Sequence, residues 1–315
     1  MIAELLLVLA QARTDVDRWR ESIELDLAAE VARDGLPRVS GGGDLASEGE
    51  AIALVARALA STGAEERAEQ LLLASEPSEA SRGWIAVARA RLALLRDDLP
   101  AARALLLAEP GADPAVRHPA IPESWLLAGR ALARGGEIAR AAPLLERFLA
   151  LSPLDAEAPS AWHMRVQAAI ERGDEQAAAE LRARAAASAQ WTAFYRTRRL
   201  QVRESPDEPL PLLGIAELFL AAGEPARAKE QALQLIARFP HFCRGFGALG
   251  RAERAAGDLA TARQALEKGV TCDPEGARTI LELARVLAAL GENELAAARY
   301  ARYRELGGTE ALAER

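Results

Sequence analysis

Apolar side chains recur along this chain at intervals of three and four residues. Between residues 209 and 221 they fall at Leu212, Ile215, Ala216 and Phe219, and the segments that follow repeat this spacing. Such intervals place the apolar side chains on one face of an α-helix. No segment shows the alternation of apolar and polar positions that marks a half-buried β-strand. The pattern therefore predicts an all-α protein.

The helical segments form a repeat of about 34 residues, which three sets of positions define. The first set is the turn residue of each unit: Gly63, Asp97, Gly136, Gly173, Gly223, Gly257 and Gly291. The second set lies five residues later and is always alanine: Ala68, Ala102, Ala141, Ala178, Ala228, Ala262 and Ala296. The third set lies seven residues before the turn and is small or short: Ala56, Ala90, Gly129, Val166, Ala216, Gly250 and Ala284. Each unit thus has one internal template.

This template predicts two antiparallel helices joined by a tight turn. Gly, and less readily Asp, adopts the positive φ that such a turn needs. The small first-helix residue and the alanine of the second helix are expected to meet where the helices cross, because larger side chains would separate them. Pro153, Pro240 and Pro274 each follow a second helix and end it. Since repeats bury their apolar faces against their neighbours, the chain length does not require two ordinary domains.

The unit that begins near Trp125 carries the clearest likeness to a known family. Its framework residues are Trp125, Gly129, Leu132, Gly136, Ala141, Leu145 and Pro153. In this framework and in its period the chain resembles the tetratricopeptide repeat (TPR) family. The units lie near residues 49–78, 83–112, 122–155, 159–192, 209–242, 243–276 and 277–310. The resemblance implies an α-α superhelix, a right-handed solenoid of about seven helix-turn-helix repeats, and it does not identify a ligand.

Three segments lie outside the repeat template. Residues 1–48 are predicted to cap the solenoid, with two helices over 1–34, broken near Thr14, and a loop over 35–47. Residues 191–208 are predicted to be an insertion between two repeats, whose first part continues or adds a helix. Residues 311–315 form a tail. The solenoid itself is expected to span residues 49–310.

Composition narrows the expected partners and compartment. The 315 residues carry a net charge of −7, which argues against nucleic acid as the default partner. No apolar run approaches the length of a membrane span, and the short apolar start lacks the basic residues of a signal peptide. The only two cysteines, Cys243 and Cys272, are expected to be partly buried free thiols in a reducing compartment. With arginine far outnumbering lysine, these features favour a bacterial cytoplasmic protein.

Motifs for catalysis or cofactor binding are weak. The segment 245–250 reads G-x-G-x-x-G, but it falls inside a predicted first helix rather than after a strand. The three histidines have no metal-ligand spacing, and no P-loop or nucleophile motif occurs. We therefore expect no enzyme activity, no cofactor and no bound metal.

Arginine forms one constellation that could carry function. The residues six positions before each turn are Arg57, Arg91, Arg130, Gln167, Glu217, Arg251 and Arg285. In the TPR family this position points into the concave groove, so the resemblance implies a ladder of guanidinium groups, divided in two by Gln167 and Glu217. Arg244, Arg254 and Arg278 could extend its C-terminal part, and His163 could line the groove. Guanidinium groups suit carboxylates and phosphates. The alternative is that each arginine pairs with a glutamate of an adjacent helix.

Three functions fit these features. The first is a scaffold or adaptor that binds a peptide or protein segment, possibly acidic, in the groove. The second is the recognition subunit or arm of a transferase-type enzyme whose catalytic chain is separate. The third is a structural scaffold that associates with copies of itself. The sequence alone favours the first.

Overall fold

The computed structural model describes residues 16–20, 22–23, 28–40, 48–75, 81–108 and 115–312. Residues 16–20 and 22–23 are helical, and fifteen further helices with defined bounds follow in the described part of the chain. Their bounds are α1 Ala28–Val39, α2 Gly49–Ser61, α3 Glu65–Ala74, α4 Arg82–Leu95, α5 Leu99–Leu106, α6 Pro122–Arg134, α7 Ile138–Leu151, α8 Ala158–Glu171, α9 Glu175–Glu204, α10 Pro209–Ala221, α11 Pro225–Arg238, α12 Arg244–Ala255, α13 Leu259–Cys272, α14 Ala277–Ala289 and α15 Asn293–Glu305. From α2 onward they form seven successive helix pairs, as the repeat predicts. Within the described residues the fold is all-α, a succession of antiparallel helix pairs.

The chain divides into two compact units, residues 1–192 and 193–315. Helices α1 to α8 belong to the first unit and α10 to α15 to the second, whereas α9 begins in the first and ends in the second. Helix α9 has 30 residues because it runs without a break through the first part of the segment predicted as an insertion. In the described residues no helix is both long and apolar enough to cross a membrane.

The seven predicted turn residues all adopt a positive φ. The six glycines have φ between 72° and 87°, and Asp97 has φ of 58°. Three second helices then begin with an aspartate that directly follows the turn residue and caps the helix. Asp98, Asp174 and Asp258 accept hydrogen bonds from the backbone N–H groups of Ala101, Ala177 and Thr261, each at 3.0 Å. The turn chemistry read from the sequence is confirmed.

Small residues allow the two helices of each pair to approach closely. All seven alanines that lie five residues after a turn are at most 1% exposed. The tightest crossings use glycine. A Cβ on Gly129 would lie 2.7 Å from Leu145 Cδ2, and one on Gly250 would lie 2.3 Å from Leu266 Cγ. These positions are therefore set by steric exclusion at the helix crossing.

The N-terminal region departs from the prediction. Residues 35–39 were expected to lie in a loop, but they complete α1, which contains Pro37. The predicted loop start is wrong because the end of α1 packs into the core: Val39 is 3% exposed, and a Cβ on Gly35 would lie 2.5 Å from Val55 Cγ2. This tertiary packing outweighs the weak helix propensity of Gly and Pro. The predicted break near Thr14 and residues 41–47 lie outside the described residues.

Candidate interaction surface

In the first unit, three of the predicted groove arginines converge on one carboxylate. Arg57 Nη2 and Arg91 Nη2 lie 3.4 and 2.7 Å from Glu157 Oε1, and Arg130 Nη1 pairs with Glu157 Oε2. Arg57 and Arg91 also pair with Glu123. We call these five residues the Glu157 cluster. The arginines come from α2, α4 and α6, so the shared repeat position does place them on one face of the first unit.

The two glutamates reach this face from the starts of first helices. Glu123 is the second residue of α6, and Glu157 directly precedes α8. A carboxylate at a helix N-terminus is favoured by the helix dipole. In this unit the arginines are thus paired within the repeat array, which is the alternative that the sequence left open.

The charges of the Glu157 cluster shift the pKa values of its carboxyl groups. Burial by itself raises the pKa of Glu157, but Arg91, Arg130 and Arg57 outweigh it and hold the pKa at about 2. The pKa of Glu123 is lowered as well, because Arg91 and Arg57 outweigh the effect of burial. Asp155 beside them has a raised pKa, mainly because it is buried. The cluster is therefore a buried ion network of three arginines and two glutamates, and both glutamates stay ionised at neutral pH.

These shifts predict acid sensitivity in the first unit. A carboxyl whose pKa is lower in the folded state stabilises the fold above its unfolded pKa, and this stability is lost as the pH falls toward the folded value. Glu157 should contribute about 3 kcal/mol at neutral pH, lost between about pH 5 and pH 2. The raised pKa of Asp155 acts in the opposite direction and offsets part of the loss.

Tryptophan fluorescence can follow this loss in urea titrations, because all five tryptophans lie within residues 1–192. The measurement is the urea midpoint as a function of pH, with Glu157→Gln as the control variant. The variant should show a flatter dependence between about pH 5 and pH 2. Equal slopes for the two proteins would contradict the assignment.

The second unit has a cavity of about 220 Å³ on the face of its first helices. Helices α10, α12 and α14 and the segment before α14 line it. The lining residues are Leu213, Glu217, Arg244, Gly247, Arg251, Asp273, Gly276, Ala277, Arg278, Thr279 and Glu282. Gly247 lets α14 approach α12 closely, because a Cβ on Gly247 would lie 2.8 Å from Thr279 Oγ1. The predicted site residues Glu217, Arg244, Arg251 and Arg278 thus meet in one place.

The three arginines that line this cavity are unevenly paired with its carboxylates. Arg251 Nη2 and Arg278 Nη1 pair with the same oxygen, Glu217 Oε1, at 2.9 and 3.0 Å. Arg278 is 63% exposed. Arg244 is exposed and makes no ion pair or hydrogen bond with the described residues. Burial, and then the charge of Arg278, lower the pKa of Arg251. This pattern indicates a site with unused capacity for an anion.

A second ion network adjoins the cavity. Glu282 pairs with Arg254 Nε at 3.2 Å and with Arg285 Nη1 at 2.9 Å. Arg285 also reaches the carboxylate of Glu310 at 3.2 Å. Arg254 and Arg285 are thus engaged with glutamates, so of the predicted groove arginines in this unit Arg244 and Arg278 are the ones best placed to meet a ligand.

A sequence comparison finds a similar repeat protein. The chain is 41% identical over 64 residues to a TPR repeat-containing protein of Pseudomonas aeruginosa. The match covers 20% of this chain, and the chain spans 61% of the length of that protein. Over this segment the chain is similar to a tetratricopeptide repeat protein, in agreement with the resemblance of its repeat framework. No family model matches the chain.

Solved structures of TPR proteins are similar to this chain at low sequence identity. MamA from Desulfovibrio magneticus is 17% identical, with a TM-score of 0.31 over 59% of this chain and 94% of its own. A thermophilic TPR protein of Thermus thermophilus is 18% identical, with a TM-score of 0.32 over 59% of this chain and 91% of its own. YrrB, a TPR protein with an unusual peptide-binding site, is 12% identical, with a TM-score of 0.29 over 58% of this chain and 84% of its own. TM-scores this low carry no argument about the family of this chain.

Two predicted groove residues, His163 and Gln167, make no contact with either arginine network among the contacts of the described residues. His163 and Gln167 are exposed on α8. Near them, the guanidinium groups of Arg165 and Arg184 lie 5.3 and 5.8 Å from the ring centre of Trp162. These contacts stabilise the helix surface.

Sequence reasoning predicted Glu217 but missed the other carboxylates that pair with or lie beside the arginines. Glu123 and Glu157 in the first unit, and Asp273 and Glu282 in the second, were not predicted. They occupy different positions relative to the turn of their repeats, so the period that revealed the arginines does not reveal them. A search for carboxylates near the starts of first helices would have found Glu123 and Glu157.

The cysteines also differ from the prediction, because Cys243 and Cys272 form a disulfide. Their Cα atoms lie 5.4 Å apart, within the usual range for such a bond. The expectation of two free thiols is wrong because the antiparallel pair α12–α13 brings the start of one helix beside the end of the other. The argument for a reducing compartment rested on free thiols and no longer holds. Within the described residues, no cluster of His, Cys, Asp or Glu is arranged to hold a metal ion.

Proposed function

We propose that this protein is a scaffold that binds an acidic segment of a partner protein at the cavity of its second unit. The observation that carries the proposal is the exposure of two guanidinium groups that line the cavity. Arg244 is exposed and has no ion pair with the described residues, and Arg278 is 63% exposed and shares Glu217 with Arg251. An incoming carboxylate would give both groups a partner. Arginine can bind it through two parallel hydrogen bonds.

The N-terminus of α14 adds to the attraction for an anion. Gly276, Ala277 and Thr279 line the cavity at the start of this helix, and no side chain caps it. The positive end of the helix dipole therefore faces the same space as Arg244 and Arg278. The aliphatic side chain of Leu213 supplies an apolar wall for the stem of an acidic side chain.

The first unit is proposed to have a different role on its equivalent face. Its three arginines are ion-paired with Glu123 and Glu157 and are only 16–21% exposed, so an acidic segment would have to displace buried partners. Displacing Glu123 or Glu157 would leave a buried carboxylate without its partner, which costs more free energy than the new ion pair recovers. We therefore assign ligand binding to the second unit and a stabilising role to the Glu157 cluster. The proposal is a binding role and contains no catalytic step.

A labelled, glutamate-rich peptide of about ten residues tests the proposal by fluorescence anisotropy. Charge reversal of Arg244→Glu together with Arg278→Glu should weaken binding at least about tenfold, equivalent to about 1.4 kcal/mol. Both side chains are exposed, so the stability of the fold should change little. Wild-type affinity should fall as salt is raised above about 0.15 M.

The matched control is Lys268→Glu with Arg299→Glu. Both side chains are exposed on second helices of the same unit, α13 and α15, and the change in net charge is the same. This variant should lose less than about twofold in affinity, an effect of overall charge only. If the two double variants lose affinity equally, the binding is nonspecific and the proposed site is wrong.

A further inference from the structure

We propose that the disulfide Cys243–Cys272 is a redox-controlled latch on the cavity of the second unit. When the bond is closed, it fixes two lining residues, Arg244 and Asp273, in place. We call the part of the cavity wall that these two residues form the rim. When a dithiol opens the bond, the rim loosens. The expected effect on peptide affinity rests on the function proposed above, whereas the opening of the rim does not.

The bond is placed to control the rim. Cys243 directly precedes Arg244, and Cys272 directly precedes Asp273; both neighbours line the cavity. Gly257 joins α12 and α13 at the other end of the pair. The helix pair is therefore tied at both ends, by a turn at one and by the disulfide at the other.

The two helices come close together at the disulfide end. A Cβ on Gly269 would lie 3.3 Å from Phe246 Cβ and 3.5 Å from the backbone N of Gly247. A glycine has no side chain to interlock with the facing helix, and the disulfide is the covalent link across this contact. The neighbouring backbone bonds are local, with Phe242 N–H donating to Phe239 O at 3.0 Å and Gly245 N–H to Phe242 O at 2.9 Å.

The bond is open to reduction from solvent. Cys272 is exposed and Cys243 is half-buried. The thiolate of a dithiol attacks Cys272 Sγ, the S–S bond breaks, and Cys243 leaves as a thiolate. The N-terminus of α12 and the adjacent Arg244 stabilise that thiolate. The second thiol of the reductant then attacks the reductant's own sulfur in the mixed disulfide and releases Cys272. The protein gains two electrons and two protons, and the reductant becomes a cyclic disulfide.

Opening the bond should change the positions of the charges at the rim. Arg244 would be free to move with the start of α12, and Asp273 with the segment that leads into α14. An anion bound between Arg244, Arg278 and the start of α14 would then lose one of its fixed contacts. The structure thus links the redox state of one bond to the geometry of the cavity.

Hydrogen exchange measured by mass spectrometry tests the latch without a ligand. Thiol titration should first find no free thiol in air-oxidised protein and two after treatment with dithiothreitol. In the reduced protein, amides of residues 243–247 and 270–279 should exchange roughly tenfold faster, while α10 stays unchanged. The variant Cys243→Ser with Cys272→Ser should match the reduced protein in either buffer.

Three outcomes would overturn the latch: two free thiols in air-oxidised protein, unchanged exchange at the rim on reduction, or equally faster exchange throughout residues 209–305. Faster exchange throughout residues 209–305 would mean that the disulfide stabilises the whole second unit and not the rim alone. Repeating the peptide assay in both redox states separates the two proposals. Weaker binding after reduction supports both, and equal binding in both states overturns the latch. If the oxidised protein fails to bind the peptide while rim exchange still responds to reduction, the proposed function is wrong and the latch stands.

Discussion

Replacing Glu157 with glutamine is expected to lower the free energy of unfolding of the first unit by about 3 kcal/mol. The substitution keeps the shape of the side chain and removes its charge. Arg57 and Arg91 would keep one glutamate partner, Glu123, and Arg130 would lose its ion pair, in a site where Glu157 is only 18% exposed. The cost comes from like charges held together away from water. Urea unfolding followed by tryptophan fluorescence measures it, since the tryptophans all report on this unit.

Glu146→Gln is the matched control for this prediction. Glu146 also pairs with an arginine, Arg165 at 3.3 Å, but its side chain is 65% exposed. Because the Glu146 carboxylate is exposed to water, its loss should cost less than about 1 kcal/mol, and the urea midpoint should change little. Equal effects of the two substitutions would show that the Glu157 cluster is an ordinary set of surface ion pairs.

Replacing Gly250 with alanine is expected to destabilise the second unit by about 2 kcal/mol, although alanine is the better helix former by about 1 kcal/mol. The new Cβ would lie 2.3 Å from Leu266 Cγ, and Leu266 is fully buried, so it has no free space to move into. Native-state hydrogen exchange of α12 and α13 gives the change directly. An unchanged exchange rate would mean that the two helices do not cross at Gly250.

A double-mutant cycle separates crowding from any other effect of this alanine. Leu266→Ala alone should cost roughly 2–5 kcal/mol because it leaves a cavity. The added Cβ of Gly250→Ala would then occupy part of that cavity. The double variant should therefore be more stable than the sum of the single effects predicts, by at least about 1 kcal/mol. Additive effects would contradict a direct contact between positions 250 and 266.

The features that sequence predicted well are those that each repeat specifies locally. A turn between two helices needs a positive φ, which restricts its residue to Gly or Asp, and a close helix crossing needs small side chains such as Ala262. Both requirements recur once per repeat, so the 34-residue period reveals them. The shared arginine position is visible for the same reason.

The partners of the arginines could not be predicted in this way. Glu157 collects arginines from three earlier repeats, one of them 100 residues away in the sequence, and no period marks it. The end of α1 was missed for a related reason: Gly35 and Pro37 indicate a loop, and only the packing of Val39 makes the segment helical.

The disulfide is indicated by the positions of the two cysteines within their repeat. Cys243 lies fourteen residues before the turn residue Gly257, and Cys272 lies fifteen after it. In an antiparallel helix pair, positions at nearly equal distances from the turn lie opposite each other. Once the repeat register was assigned, this symmetry was enough to predict that the two sulfur atoms meet.

Photo-cross-linking of an acidic peptide to the oxidised protein tests the central claim most directly. The probe is the glutamate-rich peptide with one photoreactive residue, and mass spectrometry identifies the residues it modifies. The account predicts cross-links within α10, α12 and α14 of the second unit, lost on charge reversal of Arg244 and Arg278. Cross-links concentrated on the second helices α11, α13 and α15, or on the first unit, would contradict it.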